Sequence, residues 1–290
     1  MNLRTLVCPF EPELINGLRE GVREREIAVR VDSASLVREA GDAVRNSGNR
    51  LLCVILDSAQ PVDTVPFEEG WKEIPILLRA PAAGEFRSIV RKLPLLRSLN
   101  LKIYLSSTNE NIRDARILSS LGVSCTLRIE PGAVDWDALS DLMTYALCGR
   151  IPHAPIDPFD YISRNYDAKV HLKWGAVYLD DPEKYFHLDK EKNVALSEKE
   201  ALAGQFIGRL EDIERAEPEE IGRRADAWSL NFTGNSPCAT CESFKLCMGS
   251  LRPEDGRTEG CKAFFAEMME TLEELFVQKQ KGGKDRVWRL

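Results

Sequence analysis

Through about residue 148, short apolar runs alternate with longer segments in which apolar residues recur every three or four positions. Short runs of this kind are typical of buried strands, and the three-to-four spacing is typical of amphipathic helices. The runs predict strands at residues 3–7, 27–31, 51–56, 74–78, 102–105 and 125–129. Strands that alternate with helices form βα units around a mostly parallel sheet, so residues 1–150 are predicted to be an α/β domain.

Three helices have recognisable ends in the sequence, and they are predicted at residues 34–45, 110–121 and 136–147. Ser33, Thr108 and Asp135 stand at their starts, where a side-chain oxygen accepts from an unpaired backbone N–H group. Gly48 and Gly122 stand just after the first and second helices, where a left-handed residue is needed to end them.

Residues 150–164 contain three prolines, Pro152, Pro155 and Pro158. Proline lacks a backbone donor and restricts the residue before it, so we expect neither a helix nor a central strand here. Residues 151–169 are therefore predicted to be a linker that ends the first domain.

The second domain is predicted to span residues 170–280 and to begin with a small antiparallel element. Its two strands are expected at residues 174–179 and 185–188. After Cys261, apolar residues repeat at helical spacing and predict a terminal helix that packs on the rest of the chain. The Gly- and Lys-containing tail, residues 281–290, is expected to be flexible.

Four of the eight cysteines lie within 24 residues, whereas the other four are widely separated. Cys238, Cys241, Cys247 and Cys261 have two, five and thirteen residues between them. Two thiolates separated by two residues face one metal from a tight turn, and two more complete the ligand set. This spacing predicts a metal site, and by itself it leaves open an iron–sulfur cluster or a zinc ion.

This C-terminal region resembles the SPASM domain of radical SAM peptide and protein maturases. The hallmark of that domain is C-x2-C-x5-C-x3-C followed by one more cysteine. In the family, the first three cysteines and the last one hold an outer [4Fe-4S] cluster, and the fourth reaches back to an inner cluster. The resemblance implies that Cys238, Cys241, Cys247 and Cys261 are the outer-cluster ligands, and Leu251 stands at the reach-back position. Residues 174–204 contain no cysteine for an inner cluster.

The motif that binds S-adenosylmethionine in that family, C-x3-C-x2-C, is missing. Cys8 follows the first predicted strand, but no cysteine stands four or seven residues later. The resemblance therefore implies a partial (βα) barrel-like N-terminal domain joined to a SPASM-like domain, with no radical SAM activity. It implies a non-catalytic accessory protein that binds a peptide substrate or a partner maturase, with a structural or electron-transfer [4Fe-4S] cluster.

Charge and composition narrow the possible partners. A net charge of -7 and a pI near 5.3 argue against nucleic acid and anionic membranes as partners. The apolar stretch at the N-terminus is shorter than a signal-peptide core, so the protein is expected to be cytoplasmic. Two other hypotheses remain: an interaction module stabilised by a four-cysteine zinc site, and an enzyme of unknown type in the α/β domain.

The remaining reactive residues have simpler interpretations. Cys53, Cys125 and Cys148 are expected to pack in the core as small apolar residues. None of the three histidines has the spacing of a metal-binding pair on a helix. Asp57 and Glu130 follow predicted parallel strands, at the edge where α/β proteins bind ligands, but both are expected to be ordinary loop carboxylates.

Overall fold

A computed structural model describes residues 4–18, 24–130, 134–167, 171–216, 218–233, 236–249, 251 and 259–280. The protein is α/β, with ten strands of a mixed sheet in the described ranges. Contacts divide the chain into two compact units, one made of residues 1–103 and 178–227 and the other of residues 104–177 and 228–290. No helix in the described ranges is long and apolar enough to cross a membrane.

The strands are numbered in chain order and are short. They are β1 (Thr5–Pro9), β2 (Glu26–Val31), β3 (Arg50–Asp57), β4 (Ile76–Arg79), β5 (Leu101–Ser106), β6 (Ser124–Arg128), β7 (Ile156–Asp157), β8 (Tyr185–Leu188), β9 (Asn193–Ala195) and β10 (Gly208–Arg209). The α-helices of the described residues are α1 (Pro12–Gly17), α2 (Val37–Asn46), α3 (Phe86–Ser98), α4 (Asn109–Ser120), α5 (Trp136–Cys148), α6 (Phe159–Asn165), α7 (Gly175–Tyr178), α8 (Glu198–Leu202), α9 (Leu210–Arg215), α10 (Glu219–Ala225), α11 (Leu230–Thr233), α12 (Phe244–Cys247) and α13 (Glu259–Gln280).

In the first unit the strand order is β10-β9-β8-β1-β2-β3-β4. Strands β8, β1, β2, β3 and β4 pair in parallel, and β9 and β10 continue the sheet in antiparallel pairs. Helix α2 connects β2 to β3, as a crossover between parallel strands requires. In the second unit β6 pairs with β7 in parallel.

The six strands predicted from apolar runs are confirmed as β1 to β6, although residue 3 lies outside the described residues. Two of the predicted caps are also confirmed, because Thr108 accepts from the Asn111 N–H at 3.2 Å and Asp135 accepts from the Ala138 N–H at 3.0 Å. The predicted helix at 34–45 begins instead as a 3-10 turn, and Ser33 makes no capping bond. Helices α1 and α3 were not predicted.

The expectation that residues 150–164 contain no helix is wrong, because most of helix α6 lies there. Pro158 precedes the first residue of α6, a position that needs no backbone donor. Strand β7 also lies in this stretch, but it is two residues long and stands at the end of the strand order, so it is not a central strand.

The predicted strand at 174–179 is also wrong, because α7 occupies this segment. The strand at 185–188 is confirmed as β8, but it pairs with β1 and β9 and so belongs to the main sheet. A short apolar run fits either a strand or a buried helical turn, and tertiary contacts decided between them.

The predicted terminal helix is confirmed as α13. Phe264, Met268 and Leu272 on this helix are buried, and the helix packs against α5. Cys261 lies in its first turn, as expected. The tail predicted to be flexible, residues 281–290, lies outside the described residues.

Candidate metal centre

The four clustered cysteines line a single cavity in the second unit. The space between the lining atoms, including the opening, is about 350 Å³. The lining consists of Pro237, Cys238, Cys241, Phe244, Cys247, Gly249, Leu251, Cys261, Lys262 and Phe265. Among these described residues the only groups suited to bind a metal are the four thiols.

The first three cysteines lie on one tightly turned loop. The Cys238 N–H donates to the Ser236 hydroxyl at 3.2 Å, and the Cys241 N–H donates to the Cys238 carbonyl at 3.1 Å. The Phe244 N–H donates to the Cys241 carbonyl at 3.1 Å, which leads directly into α12 and Cys247. Successive turns therefore present three sulfurs to one side of the loop.

The chain reverses immediately after Cys247. Met248 has φ 52° and Gly249 has φ 77°, so two successive residues adopt the left-handed conformation. This reversal returns the Gly249 N–H to Cys247, where it donates to the sulfur and favours the thiolate. Backbone donors of this kind stabilise metal-bound thiolates and tune their clusters.

Glycine is required at position 249 for two reasons. Its φ is in the left-handed region, and a Cβ there would lie 2.6 Å from Nδ2 of Asn231. The Asn231 side chain is held by two hydrogen bonds: its Nδ2 donates to the Trp228 carbonyl at 3.0 Å, and its Oδ1 accepts from Ser236 at 3.3 Å. Ser236 in turn holds the Cys238 N–H, so a shift of Asn231 reaches the first ligand.

We expect Gly249→Ala to destabilise the protein more than Gly204→Ala. Gly204 has φ +68° but nothing within 4 Å of its Cβ position, so its substitution carries only the left-handed strain of about 1–2 kcal/mol. At position 249 the loss of the Asn231 contacts should add roughly 1 kcal/mol or more. Denaturant unfolding of both variants measures the difference, and equal losses would show that Asn231 yields without cost.

Cys261 reaches the cavity from a different element, the first turn of α13. The Lys262 N–H donates to its sulfur, and a helix N-terminus favours negative charge. Gly260, immediately before it, lies so close to Trp136 that a Cβ would collide with the indole ring. The close approach of α13 to the start of α5 therefore fixes the position of Cys261.

One tryptophan joins the cysteine loop to α13. The indole N–H of Trp174 donates to the Leu246 carbonyl, and the Leu172 N–H donates to the Lys245 carbonyl at 3.1 Å. The Trp174 ring also packs edge-on against Phe265, with 5.7 Å between ring centroids. Both ligand-bearing segments are thus packed against the same buried side chain.

The four thiols lie close enough to affect each other's ionisation. Burial raises the pKa of Cys247 to about 12, the Gly249 N–H opposes this, and the charges of Cys241, Cys238 and Cys261 raise it further. Burial likewise raises the pKa of Cys261, and the charges of Cys238 and Cys241 add to the effect. As thiolates the four side chains would repel one another, and a bound cation would offset this repulsion.

The four thiols form a donor set that suits either an iron–sulfur cluster or a zinc ion. In the described residues no three Cys, His, Asp or Glu side chains are already arranged as ligands of one metal ion, although the four cysteines line the same cavity. Tetrahedral zinc, with Zn–S bonds of 2.3 Å, would require sulfurs roughly 3.8 Å apart. A [4Fe-4S] cluster would take one thiolate on each of its four irons.

None of the other four cysteines lines this cavity. Cys8 in β1 and Cys125 in β6 are fully buried, and Cys53 in β3 is partly buried, in agreement with the predicted core role of Cys53 and Cys125. Burial raises the pKa of Cys8 and of Cys53 to about 12. The core prediction for Cys148 is wrong, because this residue is exposed at the end of α5.

The histidines have separate environments. His153 contacts Ser119 and stacks near Tyr145, whereas His171 packs against Trp228 with 5.3 Å between centroids. His187 is buried with Nε2 at 2.8 Å from the Leu179 carbonyl. Each of the three histidines therefore has its own set of partners.

The two strand-end carboxylates differ from each other. Glu130 is exposed and lies 3.8 Å from Arg128. Asp57 is partly buried and pairs with Arg30 and Arg79, which the sequence analysis did not identify. The sequence did contain a sign that Arg30 and Arg79 lie beside Asp57, because each lies at or next to the carboxyl end of an apolar run, as Asp57 does.

Comparisons with protein-family models, with curated sequences and with solved structures each find no match. The functional interpretation therefore depends on the residues and geometry of this chain.

Proposed function

We propose that the protein binds one [4Fe-4S] cluster through Cys238, Cys241, Cys247 and Cys261. The observation that carries the proposal is that all four sulfur-bearing residues line one cavity although they come from two separate segments. When bound, such a cluster supplies a one-electron redox centre whose potential depends on burial and hydrogen bonding. Four thiolates occupy one coordination position on each iron, so no iron is left open to a substrate.

The other residues of the cavity control its environment. The N–H groups of Gly249 and Lys262 donate to two of the sulfurs and partly neutralise the thiolate charge. Phe244, Leu251 and Phe265 are buried and exclude water from one side of the cavity. These features suit a stable, permanently held centre.

The proposed role of the whole protein is that of a non-catalytic, radical-SAM-like accessory protein that binds a peptide or a partner maturase. Strands β1 to β4 are parallel and adjacent in chain order, which is the order a (βα) barrel uses and supports a partial barrel. Cys8 is buried near the end of β1, and no other cysteine is close to it in the sequence. This supports the proposal that the protein does not cleave S-adenosylmethionine. In this proposal, the region that carries Cys238, Cys241, Cys247 and Cys261 corresponds to the SPASM-like domain.

Anaerobic purification followed by metal and sulfide analysis tests the proposal. We expect about four iron and four sulfide per chain, with the broad violet absorption of a brown iron–sulfur protein. The protein should be purified from cells grown with both iron and zinc, so that the site selects its metal. A colourless protein with one zinc per chain would overturn the cluster and support a zinc-stabilised interaction module.

A further inference from the structure

Helix α3, in the first unit, carries a positively charged face that is exposed to solvent. Arg87, Val90, Arg91, Pro94 and Arg97 are exposed and recur every three or four residues, so they lie along one side of the helix. Residues 86–98 contain three arginines and one lysine and no acidic residue. This concentration of positive charge contrasts with the net charge of -7 of the whole chain.

Two of these arginines differ from other arginines on the surface. Within the described parts of the chain, the side chains of Arg87 and Arg91 form no ion pair or hydrogen bond. Two positive charges four residues apart on a helix also repel each other, which destabilises the helix slightly. Exposed arginines elsewhere have acidic partners: Arg38 with Asp42, Arg50 with Glu26, Arg164 with Asp160 and Arg223 with Glu220.

The same face of α3 has two further features that a free helix does not favour. Pro94 lies inside the helix and has no N–H group to donate to the Val90 carbonyl, so one regular helical hydrogen bond is missing. The Val90 side chain is 50% exposed. Neither feature stabilises the free chain, and departures from local preferences of this kind are expected at functional surfaces.

Helix α13, in the second unit, carries an exposed face of the opposite charge. Glu270, Glu274 and Val277 are exposed and also recur at spacings of three and four residues. In the described residues the carboxylates of Glu270 and Glu274 form no ion pair or hydrogen bond, whereas the neighbouring Glu273 pairs with Lys245. The helix therefore presents two unpaired negative charges four residues apart, and Val277 beside them is 44% exposed.

The two faces are complementary in charge and in spacing. Residues four apart on a helix are separated by about 6 Å along its axis, so the Arg87–Arg91 pair and the Glu270–Glu274 pair have the same spacing. A contact between the two faces would replace repulsion within each pair by attraction between the pairs. It would also offer the exposed valine of each face an apolar area to bury. Complementary charges on facing surfaces select the partner and fix the register of the contact.

We infer that the α3 face of one copy of this chain docks on the α13 face of a second copy, through Arg87, Arg91, Glu270 and Glu274. A nucleic acid fits the α3 face less well, because the chain is acidic overall and an exposed valine stands among the arginines. A contact held by few surface charges is weak, and salt screens it. This inference goes beyond the proposed function and does not depend on the iron–sulfur cluster.

Charge reversal tests the contact in the full-length protein. We expect the unmodified protein to self-associate at low salt, with an average mass that rises with protein concentration and falls when salt is added. Arg87→Glu combined with Arg91→Glu should weaken the association by about tenfold or more, because attractive pairs become repulsive. Glu270→Lys combined with Glu274→Lys should do the same. Sedimentation equilibrium without oxygen measures the average mass and excludes disulfides through the exposed Cys148.

A mixture of the two double variants gives the most specific result. Each variant meets the opposite charge only on the other variant, so equal amounts of the two should associate as strongly as the unmodified protein. Each variant alone should remain monomeric under the same conditions. A contact within one chain cannot produce this pattern, because it does not depend on a second copy.

Arg38→Glu combined with Arg223→Glu is the matched control. It changes the net charge by the same amount as the α3 reversal, but at exposed arginines that already have acidic partners. This variant should associate as the unmodified protein does, and thermal melting confirms that every variant is folded. A monomeric unmodified protein at low salt, undiminished association after either reversal, or a mixture that stays monomeric would each overturn the inference.

Discussion

Replacing Cys247 with serine should remove most of the bound iron and unfold the loop around the cavity. Cys247 is the last residue of α12 and lines the cavity, and its sulfur accepts a hydrogen bond from the Gly249 N–H. Removing one hydrogen bond to a metal ligand typically lowers metal affinity by 10–100-fold, so removing the ligand itself should lower the affinity by more than about 100-fold. Binding free energy at such a site is also folding free energy, so the melting temperature should fall as well.

Cys148→Ser is the control for this substitution. Cys148 is exposed and lies outside the cavity lining, so its replacement should change neither iron content nor melting temperature. Both variants are purified without oxygen, assayed for iron and sulfide, and melted under the same conditions. A full iron complement in the Cys247→Ser protein would remove that residue from the site.

Replacing Phe265 with alanine should lower the free energy of unfolding by about 3–5 kcal/mol, the usual loss for a buried phenylalanine. Phe265 is 2% exposed, packs against Trp174 and forms part of the cavity wall. Its removal opens space beside the cavity of the proposed cluster and loosens the first turns of α13. We therefore expect the iron content to fall together with the stability.

Val277→Ala provides the comparison on the same helix. Val277 is 44% exposed, so its truncation should change the unfolding free energy by no more than about 0.5 kcal/mol. Denaturant titration under anaerobic conditions measures both variants. Similar small losses in the two would mean that α13 does not depend on the Phe265 contact.

The sequence predicted the strands better than the connections between them. Apolar runs located β1 to β6 because buried parallel strands are marked by composition alone. The prolines before α6 misled the prediction, because a proline at a helix start removes no backbone donor that the helix needs. The segment at Trp174 misled it because packing against Phe265 and the Leu246 carbonyl selected a helical turn.

The candidate site was also predicted only in part. Cysteine spacing alone grouped the four ligands, because the C-x2-C pair and its neighbours are close in sequence. The N–H donors of Gly249 and Lys262 depend on backbone conformation and helix placement, which spacing does not encode. The contact of Glu198 with Arg30 and Arg79 joins residues more than one hundred positions apart, so only the folded sheet reveals it.

The two-segment origin of the ligands gives the proposed cluster a role in chain connectivity. Three thiolates belong to the loop around α12 and the fourth belongs to α13, so a bound cluster joins these segments independently of the peptide between them. A protease cut between Cys247 and Cys261 would leave both fragments tethered through iron. After such a cut, an oxidant or a chelator that removes the iron would separate the two fragments.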